Sequence, residues 1–170
     1  MNIIYHSDAF ANASRYGLSR YAWELLEALC RENDSKRFTA TSSRFNLPAE
    51  ALDSVPACAD FTHINRNHKA MLLSWAFAHT PDIERLAGPA DLVHSVELDY
   101  PVSTSSPWIV TVHDLGPLTH PEYCSKSRPW LRRMGLKRAL RKAQLIIAVS
   151  QATADAVESF SIQPLGHRLR

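Results

Sequence analysis

His113 and Asp114 are the side chains of this sequence best placed to do chemistry. They follow an apolar, β-branched run, residues 108–112, that is typical of a buried strand. In an open parallel sheet, ligands bind in the crevice outside the carboxyl ends of the strands, so this pair stands where chemistry usually occurs. Three interpretations are open: a metal site completed by His94 or His120, an acid–base pair, or a hydrogen-bonded histidine beside an aspartate that caps a helix.

The loop after the first predicted strand is a second candidate site. It covers residues 6–17, between a strand over residues 1–5 and an amphipathic helix over residues 19–31 with Ser19 as its predicted N-cap. Free N–H groups at the start of a helix attract phosphate. Gly17 is the one glycine of this loop, so the loop is neither a dinucleotide fingerprint nor a P-loop. A plain strand-to-helix connection is the alternative.

A basic helix is predicted from about Pro129 to Lys142, and no acidic residue occurs between Glu122 and Asp155. Its apolar positions recur at helical spacing, which predicts a buried face of Leu136, Ala139, Leu140 and Ala143. The charges form either a solvated face or a docking surface for anionic lipid headgroups or a phosphate-bearing acceptor. Nucleic acid is disfavoured because no aromatic residues interleave with the charges in the last two turns. The candidate membrane or anion contacts are Arg132, Arg133, Lys137, Arg138, Arg141 and Lys142.

Strand and helix patterns alternate along the chain. Predicted strands cover residues 1–5, 38–41, 61–64, 92–95, 108–112 and 144–149, and predicted helices cover residues 19–31, 68–79, 129–142 and 151–159, the last capped by Ser150. The clearest strands are continuous aliphatic runs, which indicates a parallel sheet covered on both faces. The fold class predicted is therefore Rossmann-like α/β, with a mostly parallel sheet and helices on both faces.

Composition is that of a globular cytoplasmic protein. The chain has 170 residues, of which 45% are hydrophobic, and a formal net charge of +2, which is too small to indicate a nucleic-acid partner. Cys30, Cys58 and Cys124 are odd in number and lack metal-ligand spacing, so free thiols in a reducing compartment are expected.

Four motifs occur in order along the chain and support a resemblance to a known family. They are Gly17-Leu18-Ser19-Arg20-Tyr21 followed by Glu24-Leu25-Leu26; Asp91-Leu92-Val93-His94-Ser95; Val110-Thr111-Val112-His113-Asp114-Leu115 continued by His120-Pro121-Glu122-Tyr123; and Ile147-Ala148-Val149-Ser150-Gln151-Ala152-Thr153. Together they resemble the N-terminal, acceptor-side domain of retaining GT-B glycosyltransferases of the family 4 type.

The resemblance implies two Rossmann-like domains facing a cleft, the first holding chiefly the acceptor and the second the nucleotide-sugar, with no metal or other cofactor. It implies that the backbone at Gly17 and Leu18 approaches the donor diphosphate. His113 would be a catalytic residue that hydrogen-bonds the transferring sugar, and Asp114 would orient that histidine or the acceptor. Further substrate contacts are implied at Arg20, Glu122 and Ser150.

The chain departs from the family pattern in three respects. Ser19 stands where the usual segment has its second glycine. Glu24 and Glu32 have the spacing of a glycosyltransferase signature, but both belong to the first predicted helix and are interpreted as solvent-facing charges. The glycine-rich loop, basic residues and glutamate pair of the donor domain do not occur. Residues 1–160 are therefore expected to be the N-terminal domain and residues 161–170 the start of a linker or a truncated tail, with little activity alone.

The resulting expectation is a sugar transfer, with GDP-mannose as the leading donor, to a glycan or lipid-linked acceptor in surface polysaccharide or lipopolysaccharide synthesis. The partners expected are the nucleotide-sugar, the acceptor, a C-terminal donor domain and an anionic inner-membrane surface, without nucleic acid. The first alternative is a non-catalytic Rossmann-like module that binds a phosphorylated ligand or a protein partner. The second is a metal-dependent hydrolase that uses His113, Asp114 and His120.

Overall fold

The computed structural model describes residues 1–12, 17–32, 35–44, 52, 55–120, 122 and 129–170. Its strands are β1 (Asn2–His6), β2 (Arg37–Ser42), β3 (Ala59–His63), β4 (Leu92–Ser95), β5 (Trp108–Val112) and β6 (Leu145–Ala148). Its helices are α1 (Leu18–Arg31), α2 (His68–Leu73), α3 (Glu84–Ala87), α4 (Gly116–Thr119), α5 (Pro129–Lys142) and α6 (Gln151–Ser159). A π-helical turn, Ser74–Ala78, continues α2, and 3-10 turns cover Asp8–Ala11 and Gly166–Arg168.

The strands form a parallel sheet in the order β3-β2-β1-β4-β5-β6. β1 lies inside the sheet, where Ile4 is opposite Thr39 of β2 and Val93 of β4. Helices lie between β1 and β2, between β3 and β4, and between β5 and β6, and the predicted Rossmann-like α/β class is confirmed. The strand order reverses between β1 and β4, and such a switch point is where open α/β sheets bind their ligands.

Apolar side chains of the described residues pack on both faces of the sheet. Because successive residues of a strand point to opposite faces, neighbours in β1 enter different cores. Tyr5 packs in the core that contains Trp23 of α1, whereas Ile4 belongs to the core that contains Trp75 and Leu136. Because both faces of the sheet are covered, its carboxyl and amino edges are the places where polar groups can meet a ligand.

The helix α5 has the bounds that its sequence pattern predicts, and Leu136, Ala139 and Ala143 are buried as expected. Gly135 allows this helix to approach the chain beneath it, because a Cβ atom there would lie 3.2 Å from the carbonyl carbon of Tyr100. The segment that follows Tyr100 leads to β5, so α5 is held against the strand that ends at the His113 site.

Two details of the predicted helices are wrong. The first helix begins at Leu18 with Gly17 at the N-cap, and Ser19 is buried inside it rather than capping it. The helix predicted over residues 68–79 is α2 for six residues and then a π-helical turn that ends at His79, whose backbone is left-handed. Glu24 and Glu32 are exposed, as predicted for solvent-facing charges.

Cys30 and Cys58 form a disulfide, with Cα atoms 5.8 Å apart, so the prediction of free thiols is wrong for this pair. The bond ties the end of α1 to the residues that enter β3. No local pattern signals this contact, because the two cysteines are 28 positions apart and meet only when β2 and β3 pair side by side. Cys124 lies outside the described residues.

Residues 161–170 pack on the domain. Leu165 is buried, and the amide of Arg170 donates to the carbonyl oxygen of Ile146 in β6 at 3.0 Å. The Arg168 guanidinium donates to the carbonyl oxygens of Leu140 and Ala143, at 2.9 and 2.8 Å, which the end of α5 leaves without helical partners. Among the described residues, no helix is long and apolar enough to cross a membrane.

Candidate functional site

His113 lies immediately beyond the carboxyl end of β5 and is held by three other elements. Its Nε2 atom donates to the carbonyl oxygen of Val96 at 2.9 Å, and its ring stands edge-on to Tyr21 in the first turn of α1 with centroids 4.8 Å apart. Thr153, in the first turn of α6, donates its hydroxyl to the carbonyl oxygen of His113 at 3.1 Å. Because a carbonyl oxygen can only accept, Nε2 carries the proton in the neutral imidazole and Nδ1 keeps a lone pair.

Asp114 does not orient His113. Its Oδ1 atom accepts from the amide of Gly116 at 2.8 Å at the start of α4, and Arg132 lies 3.7 Å from the same oxygen. Its side chain is 64% exposed. Of the three interpretations open from the sequence, the third agrees with the observed contacts only in part: His113 is hydrogen-bonded to Val96, and Asp114 accepts from the first amide of α4, but the N-cap of α4 is Leu115 and no side chain caps that helix.

The other histidines considered for a metal site have separate environments. His94 is buried in β4 beside Thr111, 2.9 Å from its hydroxyl, and burial lowers the pKa of His94 to about 4. His120 is largely exposed and lies 3.4 Å from Glu122, the predicted substrate contact, which is exposed as well. Within the described ranges, no group of three or more His, Cys, Asp or Glu side chains is arranged to hold a metal ion.

The start of α1 lies next to His113 through the Tyr21 contact. Gly17 has φ 55° and ψ −122°, a backbone conformation that only glycine adopts readily, and no described side chain caps the helix. The first helical hydrogen bond joins the Tyr21 amide to the Gly17 carbonyl oxygen. The amides that come before Tyr21 in the first turn therefore have no acceptor within the helix and point out of its N-terminal end. Arg20, the next predicted contact, is exposed and paired with Glu24 at 2.7 Å.

Ser150 caps α6, as its sequence predicts. Its hydroxyl oxygen accepts from the Thr153 amide at 3.2 Å, while the Thr153 hydroxyl binds the His113 carbonyl. The structure therefore brings His113, Gly17, Leu18 and Ser150 to one edge of the sheet. We call this set, with Tyr21 and Thr153, the carboxyl-edge site.

A buried polar network at the same edge was not identified from the sequence. Asp8, directly after β1, accepts from the Ser43 amide at 2.7 Å and from the Ser42 hydroxyl at 3.0 Å. The Asp8 amide donates to Glu97 at 2.6 Å, which joins the loops after β1 and β4 across the switch point. The hydroxyl of Tyr100 lies 2.9 Å from Nε2 of His6. The available signal was the run of polar residues that follows each of these strands.

Burial sets the protonation of this network. It raises the pKa of Glu97 to about 8, with the charges of Asp8 and Asp99 acting in the same direction. Burial also lowers the pKa of His6, and the charge of Asp8 opposes this shift. Burial opposes ionisation of Asp8, but His6 and hydrogen bonds from Tyr100 and Ser43 outweigh it and hold the pKa of Asp8 below its ordinary value.

The six basic residues predicted as anion contacts on α5 divide into two groups. Arg132 is bonded to Asp99 and lies near Asp114, and Arg138 donates to the carbonyl oxygens of Trp75 and Val102 at 2.9 and 3.1 Å. The side chains of Arg132 and Arg138 therefore bind other groups of the same domain. The remaining side chains are exposed, and no described carboxylate lies within 4 Å of their cationic groups; they are Arg133, Lys137, Arg141 and Lys142.

Comparison with known proteins gives a match over almost the whole chain. The family model described as Glycosyltransferase Family 4 matches residues 15–168. That range contains the start of α1, the end of β5 and the start of α6, which are the elements of the carboxyl-edge site. A search of the curated proteins gave no match.

Proposed function

The chain belongs to glycosyltransferase family 4, and we propose that its carboxyl-edge site holds a sugar and its acceptor while the sugar leaves a nucleotide diphosphate. The observation that carries this proposal is the convergence of two helix starts on His113. Tyr21 of α1 contacts its ring, and Thr153 of α6 binds its carbonyl oxygen.

The chemistry of such a transfer suits this arrangement. The bond between the anomeric carbon and the diphosphate oxygen breaks, a bond from the acceptor oxygen to the anomeric carbon forms, and the proton of the acceptor hydroxyl passes to the leaving diphosphate. Negative charge develops on the leaving diphosphate. The outward-facing amides at Leu18 and the positive end of the α1 dipole can stabilise that charge, provided that the backbone at Gly17 stays as it is.

His113 is proposed to orient the sugar. With Nε2 committed to the Val96 carbonyl, the lone pair on Nδ1 can accept a hydrogen bond from a sugar hydroxyl near the reacting carbon. The fixed ring restricts the orientation of the sugar before reaction, which lowers the entropic part of the barrier.

The exposed polar groups around this site are proposed to contact the acceptor and the donor. The Asp114 carboxylate accepts from the Gly116 amide but keeps most of its surface exposed, and Ser150 stands at the start of α6. Arg20 is exposed in an ion pair with Glu24, and Glu122 is exposed 3.4 Å from His120; a ligand can displace such surface contacts at small cost.

The remaining parts of the proposal rest on the family resemblance. We propose that a second, donor-binding domain supplies the groups that hold the nucleotide, that GDP-mannose is the donor and that the acceptor is a glycan or a lipid-linked glycan of surface polysaccharide synthesis. The exposed cations of α5, and the stacked pair Phe77 and Trp130, would hold the domain at an anionic inner-membrane surface.

Ligand binding by the 170-residue chain tests this function without requiring turnover. Calorimetry and saturation-transfer NMR with GDP-mannose, UDP-hexoses and acceptor glycans should show binding of at least one donor or acceptor. A folded chain that binds none of them, but binds a phosphorylated ligand or a protein partner, would support a non-catalytic Rossmann-like module instead. Stabilisation by added zinc or manganese would support the hydrolase alternative.

A further inference from the structure

A groove of about 960 Å³ lies beside the amino-terminal end of β5, away from the carboxyl-edge site. Its walls are the second half of α5, the π-helical turn after α2, and residues 101–106, and Trp108 at the start of β5 contributes to it. A strand rises about 3.3 Å per residue, so Trp108 and His113 are separated by roughly 16 Å along the sheet. The groove is therefore a separate place on the domain.

The groove is lined by cations that have no carboxylate partner within ion-pairing distance among the described residues. These are Lys137, Arg141 and Lys142, together with Arg138 deeper in the wall. Asp82 also lines the groove, but its Oδ1 atom accepts from the hydroxyl of Ser103 at 2.7 Å. The lining therefore has a clear excess of positive charge.

Arg138 is held in position before any ligand arrives. Its guanidinium group donates to the carbonyl oxygens of Trp75 and Val102, and Nη2 lies 3.3 Å from Nε2 of His79. Burial lowers the pKa of Arg138, and the positive charge of Arg141 lowers it further. An anion between these two arginines would relieve this repulsion and would meet a guanidinium whose geometry is already fixed.

We propose that this groove binds a soluble phosphate-bearing ligand through Arg138, Arg141, Lys137 and Lys142. Its volume lies within the range of small-molecule sites, and a fixed arginine with exposed cations around it is suited to a phosphate or diphosphate group. A flat bilayer would reach the exposed Phe77 and Trp130 but not Arg138, which is half-buried in the groove wall. The proposal does not depend on sugar transfer at the carboxyl-edge site.

Titration calorimetry of the whole chain with inorganic pyrophosphate tests the proposal. The wild-type chain should bind pyrophosphate, and Arg141→Gln should weaken binding about tenfold because one charge-assisted contact is lost. Arg133→Gln is the matched control, since Arg133 is an exposed cation of the same helix that does not line the groove. It should change the affinity less than about twofold, because an exposed charge at a distance is screened by salt.

Vesicles of phosphatidylglycerol, with phosphatidylcholine as the neutral control, separate a lipid headgroup from a soluble phosphate. Absence of pyrophosphate binding by a chain shown to be folded by circular dichroism would overturn the proposal. Binding to the anionic vesicles without binding to pyrophosphate would also overturn it, and would support only the membrane contact. An equal loss of pyrophosphate affinity in Arg141→Gln and Arg133→Gln would overturn it as well, because it would indicate general attraction to a basic helix.

Discussion

The ring of Tyr21 stands edge-on to the imidazole of His113, with centroids 4.8 Å apart. This contact joins the first turn of α1 to the end of β5, two elements separated by most of the chain. The N–H groups of one helix start and the lone pair of one histidine are therefore fixed relative to each other. A ligand that has a diphosphate next to a sugar can form hydrogen bonds with the N–H groups and with the histidine at the same time.

Replacing His113 by alanine should weaken binding of the donor or acceptor about tenfold or more, because the hydrogen bond to the sugar is lost. The free energy of unfolding should fall by only about 1 kcal/mol, the usual contribution of one hydrogen bond such as that from Nε2 to Val96. Calorimetry and urea unfolding measure the two effects. His167→Ala, at an exposed histidine of the Gly166–Arg168 turn, is the control and should leave both nearly unchanged.

Substitution of Gly17 by alanine should lower the free energy of unfolding by about 1–3 kcal/mol, because its φ of 55° and ψ of −122° are strained for a residue with a Cβ atom. It should also weaken nucleotide-sugar binding, since relief of the strain moves the amides at the start of α1. Gly88→Ala, at φ 102° after α3, provides a matched loss of stability. Equal binding losses in both variants would show that Gly17 acts only through stability.

Glu97 should make the protein less stable as the pH rises. Its pKa is raised from 4.5 to about 8 in the folded state, so the stabilisation from its protonated form is complete below pH 4.5 and is lost between pH 4.5 and 8. Over this window the free energy of unfolding should fall by up to about 1.4 kcal/mol per pH unit relative to Glu97→Gln.

Urea unfolding at several pH values between 5 and 8 measures this difference. Glu24→Gln, at an exposed carboxylate, should follow the wild-type curve. His6 and Asp8 have lowered pKa values and act in the opposite direction, because their contributions are lost as the pH falls. If the free energies of unfolding of wild type and Glu97→Gln change in parallel with pH, the fold does not hold Glu97 in its protonated state.

Reduction of the Cys30–Cys58 disulfide should lower the free energy of unfolding by about 3 kcal/mol, because the cross-link closes a segment of 28 positions and restricts the unfolded chain. Thermal unfolding with and without dithiothreitol gives the size of the effect. The double variant Cys30→Ala/Cys58→Ala should be insensitive to dithiothreitol. If wild type is equally insensitive, the two cysteines are not linked in solution.

The fold could be predicted from the sequence to a large extent. An apolar, β-branched run such as Trp108–Val112 indicates a buried strand, and the helical period of α5 and the Ser150 cap of α6 are local signals. Ser19 was wrongly assigned as an N-cap because the conformation of Gly17, which starts α1 one residue earlier, is a backbone property that residue type does not reveal.

The site could be predicted only in part. The motifs located His113, Gly17 and Ser150, but they did not indicate that Val96 fixes the imidazole or that Arg132 and Arg138 are used within the domain. The network of Asp8 and Glu97 joins loops that are 89 positions apart, and only the parallel pairing of β1 with β4 brings them together. Such contacts depend on topology, which single residues do not encode.

The most direct test of the account is a titration of the ¹⁵N-labelled chain with GDP-mannose and with the other nucleotide-sugars, followed at the His113 side chain and the backbone amides. Binding at the carboxyl-edge site predicts saturable shifts at His113 Nδ1 and at the amides of Gly17 and Leu18. Saturable binding that leaves His113, Gly17 and Leu18 unshifted would contradict the account.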